Sequence, residues 1–250
     1  MQLPGIKDSE RELRLRMIRN AKGPWHFVIL IFSIQICITW ANGPNAVSWI
    51  YESFGLSRSG LSGGRIWQLL TYALLHGGIF HTLVNSVWVM AIGSRVEQIV
   101  GTAGFWKCLA MGTLGGAAGH LLVAESGRDE GILVGVSGGC MALLILLTTL
   151  SPDSRMWPLP VSARNLGIGI MGTEFFLAIC DPKLGLPVFS GIGLAFSALG
   201  FGSWFAIGHA CHFGGGLAGF LMGRWLLRPR MTVERLRRER ERREARQVRP

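Results

Sequence analysis

Ser137 stands in the run Gly135-Val136-Ser137-Gly138-Gly139, at the mouth of the apolar stretch Cys140 to Leu150. A serine between glycines has no bulky neighbours, and its backbone is free to approach a substrate closely. It is a candidate nucleophile. The same letters fit the Gly-x-Ser-x-Gly elbow of soluble hydrolases, but that elbow needs a buried strand before it, with an acid and a histidine further on. The run CMALLILLTTL offers neither acid nor base and suits a membrane. The structural alternative is that Ser137 and its glycines only let two helices pack closely. A serine acts as a nucleophile when a histidine takes its proton and returns it to the leaving amine. His212 is the base the sequence offers. An oxyanion also needs donors, and Asn85 lies one helical turn beyond His81, so the two share a face and can point at one developing charge beside the Ser137 N–H.

Composition places these residues in lipid. Hydrophobic residues make up 49% of the chain and charged residues only 16%, against about 25% charged in a soluble domain. Six of the 25 Lys and Arg precede Trp25 and eleven lie from Arg224 onward, leaving eight between. The chain therefore divides into a charged amino-terminal segment (1–24), a membrane domain (25–227) and an Arg-rich tail (228–250).

Six spans are predicted. They cover Trp25–Ala41, about Gly78–Val100, Gly104–Ala124, a fourth from Ser137 to Leu150, about Leu166–Cys180, and about Ile207–Leu227. The fold class expected is all-α, a polytopic six-helix bundle. Asn42 to Arg65 is too polar to span and is expected to lie on the surface. Gly112, Gly115, Gly116 and Gly119 give the third span small-residue faces for close packing. Both basic clusters fall on one side if both termini are cytoplasmic, and the acidic 125–130 loop then lies outside. In that topology Ser137, His212 and His81 all enter from outside at similar shallow depth. Isolated polar groups in hydrocarbon are costly unless satisfied, so three at one level read as partners.

At these residues the chain resembles the rhomboid intramembrane serine proteases. The matching features are His81-x-x-x-Asn85, Gly135-x-Ser137-Gly138, and His212-x-x-Gly215-x-x-x-Gly219-x-x-x-Gly223. The resemblance covers about Trp25 to Leu227. It implies cleavage of single-pass or other transmembrane proteins without a cofactor, with Ser137 as nucleophile and His212 as general base. His81 and Asn85 match the family's oxyanion positions, and Gly135 is grouped with them as an oxyanion- or substrate-stabilising position. It also implies that the glycines of the last span pack it against the fourth. The location expected is a bacterial inner membrane. The alternative function is a catalytically silent adaptor that binds transmembrane helices.

Two positions depart from the family pattern. Gln68 follows Trp67 where arginine is frequent, and Met141 stands where a tyrosine often packs beneath the histidine. The apolar stretch 182–206 is expected to form a cap or re-entrant segment, with Phe205 and Ile207 shielding the site. His209, one turn before His212, is read as a loop or interface residue, and His76 and His120 as structural. Glu174, an acid inside an apolar span, is a functional candidate by default, with no partner evident from sequence. The five cysteines show no paired spacing, no metal site is assigned, and the tail is expected to meet anionic lipid headgroups rather than nucleic acid.

Overall fold

The computed structural model describes residues 12, 15–41, 44–123, 131–156, 160–229, 234, 236–238 and 240–241. The 125–130 loop, most of the 1–24 segment and the tail pair Glu239 with Arg243 lie outside the described residues.

The elements are all helical: α1 (Lys22–Trp40), α2 (Pro44–Phe54), α3 (Arg58–Ser62), α4 (Gln68–Thr71), α5 (Ile79–Trp88), α6 (Ser94–Val123), α7 (Ser137–Leu150), α8 (Ala163–Ile179), α9 (Phe189–Phe196) and α10 (His209–Leu226). A π-helical turn, Val89–Gly93, joins α5 to α6, and α6 itself is broken at Gly101, whose φ of 76° is not helical. Residues 79–100 and 102–123 are thus two helical arms, close to the second and third predicted spans. Glu97 secures the break. Both of its carboxylate oxygens accept from the Gly23 N–H at 3.2 Å, and one accepts from the Thr102 hydroxyl at 2.5 Å. A carboxylate at the first turn of α1 also suits the positive end of that helix.

By length and apolarity, Lys22–Trp40 and Phe189–Ala206 can cross a membrane, and the bent pair Gln68–Leu74 with Ile79–Val123 makes a third candidate. The fourth and fifth predicted spans are shorter helices of 14 and 17 residues, and the sixth, α10, has 18 but carries His209, His212 and Arg224 and is less apolar. α7 has 14 residues, which at about 1.5 Å rise each is roughly 21 Å, short of the hydrocarbon core of about 30 Å.

α7 is the centre of the bundle, with every residue from Gly138 to Thr148 buried. Glycines bring α10 onto it. A Cβ on Gly215 would strike the Gly138 carbonyl, one on Gly219 the Ala142 backbone, and one on Gly223 the Thr149 methyl at 2.7 Å. The paired numbers rise together, so α10 runs parallel to α7. α8 runs the opposite way, with Gly167 facing Thr148 and Met171 facing Gly216. The glycines of the third predicted span complete a three-helix seam, Gly115 and Gly119 meeting Gly214 and Ala210, and Gly112 meeting Ala142. Without a Cβ, backbones approach closely enough for dispersion and weak polar contacts to hold helices together where lipid removes the hydrophobic drive.

The surface connection is fastened by its own side chains. The carbonyls at the end of α2, which have no partner within the helix, are taken by Gln68 Nε2 on Glu52 O (2.8 Å), Trp67 Nε1 on Ser53 O (2.8 Å) and Thr71 Oγ1 on Phe54 O (2.7 Å). Gln68 also accepts from Ser57 N at 3.3 Å and is fully buried. The glutamine therefore has a structural role of its own at the position where arginine is frequent.

The 182–206 stretch differs from an extended cap. It is helical from Phe189 to Ala206, with a break at Gly200 (φ 93°), because its apolar run contains no polar turn. Its two flanks nevertheless meet: Asp181 and Lys183 before it, and Phe205, Ala206 and Ile207 at its end, line one cavity. The segment leaves and rejoins the bundle at the end where α7 begins.

Candidate active site

Ser137 is the first residue of α7, and the chain that delivers it is pinned on both sides. Leu133 and Leu56 exchange backbone hydrogen bonds of 2.9 and 3.0 Å, and the Gly135 N–H donates to the Tyr72 carbonyl at 2.9 Å. Gly135 has φ of 108°, a conformation open in practice to glycine alone. Sterics demand glycine there too, since a Cβ would lie 2.7 Å from His81 Cε1, 2.9 Å from His81 Nε2 and 3.6 Å from Asn85 Nδ2. Three of the predicted site residues, His81, Asn85 and Gly135, are thereby one cluster two residues before Ser137.

Asn85 is buried, and its Nδ2 has no hydrogen-bond partner among the described residues. An unmatched buried donor costs about 1–3 kcal/mol and gains most from a group that brings negative charge. His81 stands edge-on to His76, ring centroids 5.0 Å apart. His76 is fully buried, and among the described residues neither of its ring nitrogens is hydrogen-bonded.

His212 reaches the same end from α10. Gly138, the neighbour of Ser137, packs against Cys211, the neighbour of His212: a Cβ on Gly138 would lie 3.0 Å from Cys211 Sγ. Gly215, one turn after His212, meets the Gly138 carbonyl. The glycine seam thus brings Ser137 and His212 to adjoining helix ends. Among the described residues nothing hydrogen-bonds the Ser137 hydroxyl, whereas His212 Nδ1 lies 3.1 Å from Glu174 Oε1. Nδ1 being engaged, Nε2 is the ring nitrogen left for a proton transfer. Met141, one turn along α7 from Ser137, is buried and fills space without a polar contact.

His209 is not a simple loop residue. It is the first residue of α10, its Nδ1 lies 2.7 Å from Glu174 Oε2 and its Nε2 lies 3.0 Å from the Trp204 carbonyl. Sequence reasoning left Glu174 without a partner, and it has two. The available signals were an acid in an apolar span and two histidines one turn apart on a single face; that α8 runs antiparallel to α10, which brings them together, was not visible. The ligand atoms of Glu174, His209 and His212 lie within 4.8 Å of one another, a set able to hold a metal ion. Their direct contacts have hydrogen-bond lengths. Phe205 and Ile207 line a cavity of about 230 Å³ that borders His209 and Cys211.

A sequence profile of the rhomboid domain matches residues 63–229. Among curated proteins, RHOMBOID-like protein 5 of Arabidopsis thaliana is 28% identical over 69% of this chain and 48% of its own length. Rhomboid protease GlpG of Photorhabdus laumondii is 25% identical over 85% of this chain and 65% of its own, and rhomboid protease GluP of Bacillus subtilis 25% identical over 70% and 34%. The chain spans less than two thirds of the length of each.

Proposed function

From the premise that the chain belongs to the rhomboid family of integral membrane proteins, we propose that it is an intramembrane serine endopeptidase acting through a Ser137–His212 dyad. The observation that carries this reading is the glycine seam, which sets the two residues at adjoining helix ends with His212 held at Nδ1 and Nε2 left over. His212 Nε2 accepts the Ser137 proton as the oxygen attacks a peptide carbonyl, and returns it to the leaving amine. Asn85 Nδ2, the His81 ring and the backbone beside Gly135 stabilise the oxyanion. The short α7 supports a site recessed below the membrane surface.

Substrates are single-pass or other transmembrane proteins. Their helices must open locally, because a helical carbonyl is already hydrogen-bonded, so small or helix-breaking residues near the cut are favoured. Phe205 and Ile207, at the returning end of the 189–206 helix, shield the site from lipid. The membrane domain spans 25–227, flanked by the charged 1–24 segment and the basic 228–250 tail. Both termini are cytoplasmic in a bacterial inner membrane, and the tail meets anionic headgroups.

Cleavage of a model single-pass substrate in liposomes tests the proposal. Wild-type protein cuts, while Ser137→Ala and His212→Ala do not. Binding without cleavage across a panel of substrates would instead support the adaptor.

A further inference from the structure

The site carries more than a dyad needs. Glu174 projects from α8 with its two oxygens divided between two histidines of α10, one to His212 Nδ1 at 3.1 Å and one to His209 Nδ1 at 2.7 Å. All three side chains are largely buried. A lone carboxylate there would be strongly disfavoured, so its retention calls for compensation. His209 supplies it. Its ring faces two acceptors, the Glu174 carboxylate and the Trp204 carbonyl, and only the doubly protonated ring donates to both. With one oxygen of Glu174 engaged by His209, the other is placed to accept the His212 Nδ1–H.

We infer that Glu174 is a positioning residue for the base, making the site a Ser137–His212–Glu174 relay in which His209 holds the second oxygen of Glu174 in place. The inference deepens the protease reading and rests on it for the reaction itself. The carboxylate has two effects: it fixes the His212 tautomer with Nε2 facing Ser137, and it stabilises the imidazolium that forms during attack. It also accounts for Met141. Where no tyrosine packs beneath the histidine, the ring is oriented from the opposite edge by a hydrogen bond to α8. The ionisable groups around His212 are Glu174 from α8, His209 and Cys211 on its own helix and His81 from α5, with His120 of α6 further off on the cavity wall. Among these Glu174 is the one acid.

Three measurements on the whole chain in detergent test this. The first does not depend on proteolysis: proton NMR with ¹⁵N-labelled histidine should show a far-downfield Nδ1–H of His212, assigned by its loss in His212→Gln. The resonance should persist in Glu174→Asp, move upfield or disappear in Glu174→Gln, and vanish in Glu174→Ala. Its absence from wild type overturns the inference even if cleavage is seen. The second is kinetic, on variants whose thermal unfolding matches wild type. Glu174→Gln should lower kcat by about 10²-fold with little change in KM. Glu174→Asp should recover most of the rate. A Glu174→Gln enzyme with wild-type kcat overturns the inference while leaving the dyad intact. Stoichiometric zinc in the purified protein that is lost in Glu174→Ala also overturns it, by making the three groups metal ligands.

Discussion

Two histidine pairs face each other across this site, and they are built oppositely. On the α10 side, His209 and His212, ring centroids 6.2 Å apart, are bridged by the Glu174 carboxylate. On the α5 side, His76 and His81 are 5.0 Å apart, and among the described residues no carboxylate bridges them and the His76 nitrogens make no hydrogen bonds. In the proposed mechanism, one side holds the positive charge that grows during the reaction. The other is arranged to stay neutral, with Asn85 Nδ2 and the His81 ring turned toward Gly135, where negative charge would develop. The division of labour follows from which helix carries the acid.

Breaking each side should have effects of different size. Removing the nucleophile or the base, Ser137→Ala or His212→Ala, is expected to cut turnover by about 10⁴-fold or more, read as product formed per mole of folded protein. On the neutral side, Asn85→Ala removes one oxyanion donor and should lower kcat by about 10²–10³-fold, with substrate binding by fluorescence anisotropy unchanged. Gln68→Ala lies outside both pairs. It removes one donor and one acceptor from a buried loop and should cost about 1–3 kcal/mol of stability, seen as a lower midpoint of thermal unfolding in detergent with kcat nearly intact. His76→Phe should have the smallest effect. It replaces two unpaired buried nitrogens by carbon at similar shape, so stability should hold or rise by about 1 kcal/mol, with activity within roughly tenfold of wild type. A large activity loss in His76→Phe would mean that the α5 pair is not the neutral partner described.

Much of this arrangement was legible in the sequence, for a physical reason. Glycine spacing along the third and last spans marks faces built for close packing, and the family resemblance pointed to the fourth span as partner of the last, where Gly215 and Gly219 meet Gly138 and Ala142. The share of one helix face by His81 and Asn85 followed from helical periodicity alone. Glu174 was different. Its partners lie 35 and 38 residues away on an antiparallel neighbour, and no local pattern records which rotation of α8 faces α10. Gln68 was similar: the sequence marked it only as a departure from the family pattern, while its role lies in carbonyls 15 and 16 residues earlier. The 189–206 stretch was ambiguous because apolar length fits a crossing, and only the meeting of its two flanks shows that it returns to the same end.

The most direct test of the central claim is covalent capture. A fluorophosphonate added to the purified protein should phosphonylate Ser137 Oγ with release of fluoride, and tryptic mass spectrometry should place the adduct on the peptide containing Gly135 to Gly139. The account predicts one adduct at Ser137 in wild type, absent in Ser137→Ala and strongly slowed in His212→Ala. Labelling at another serine, or a rate in His212→Ala equal to wild type, would contradict it.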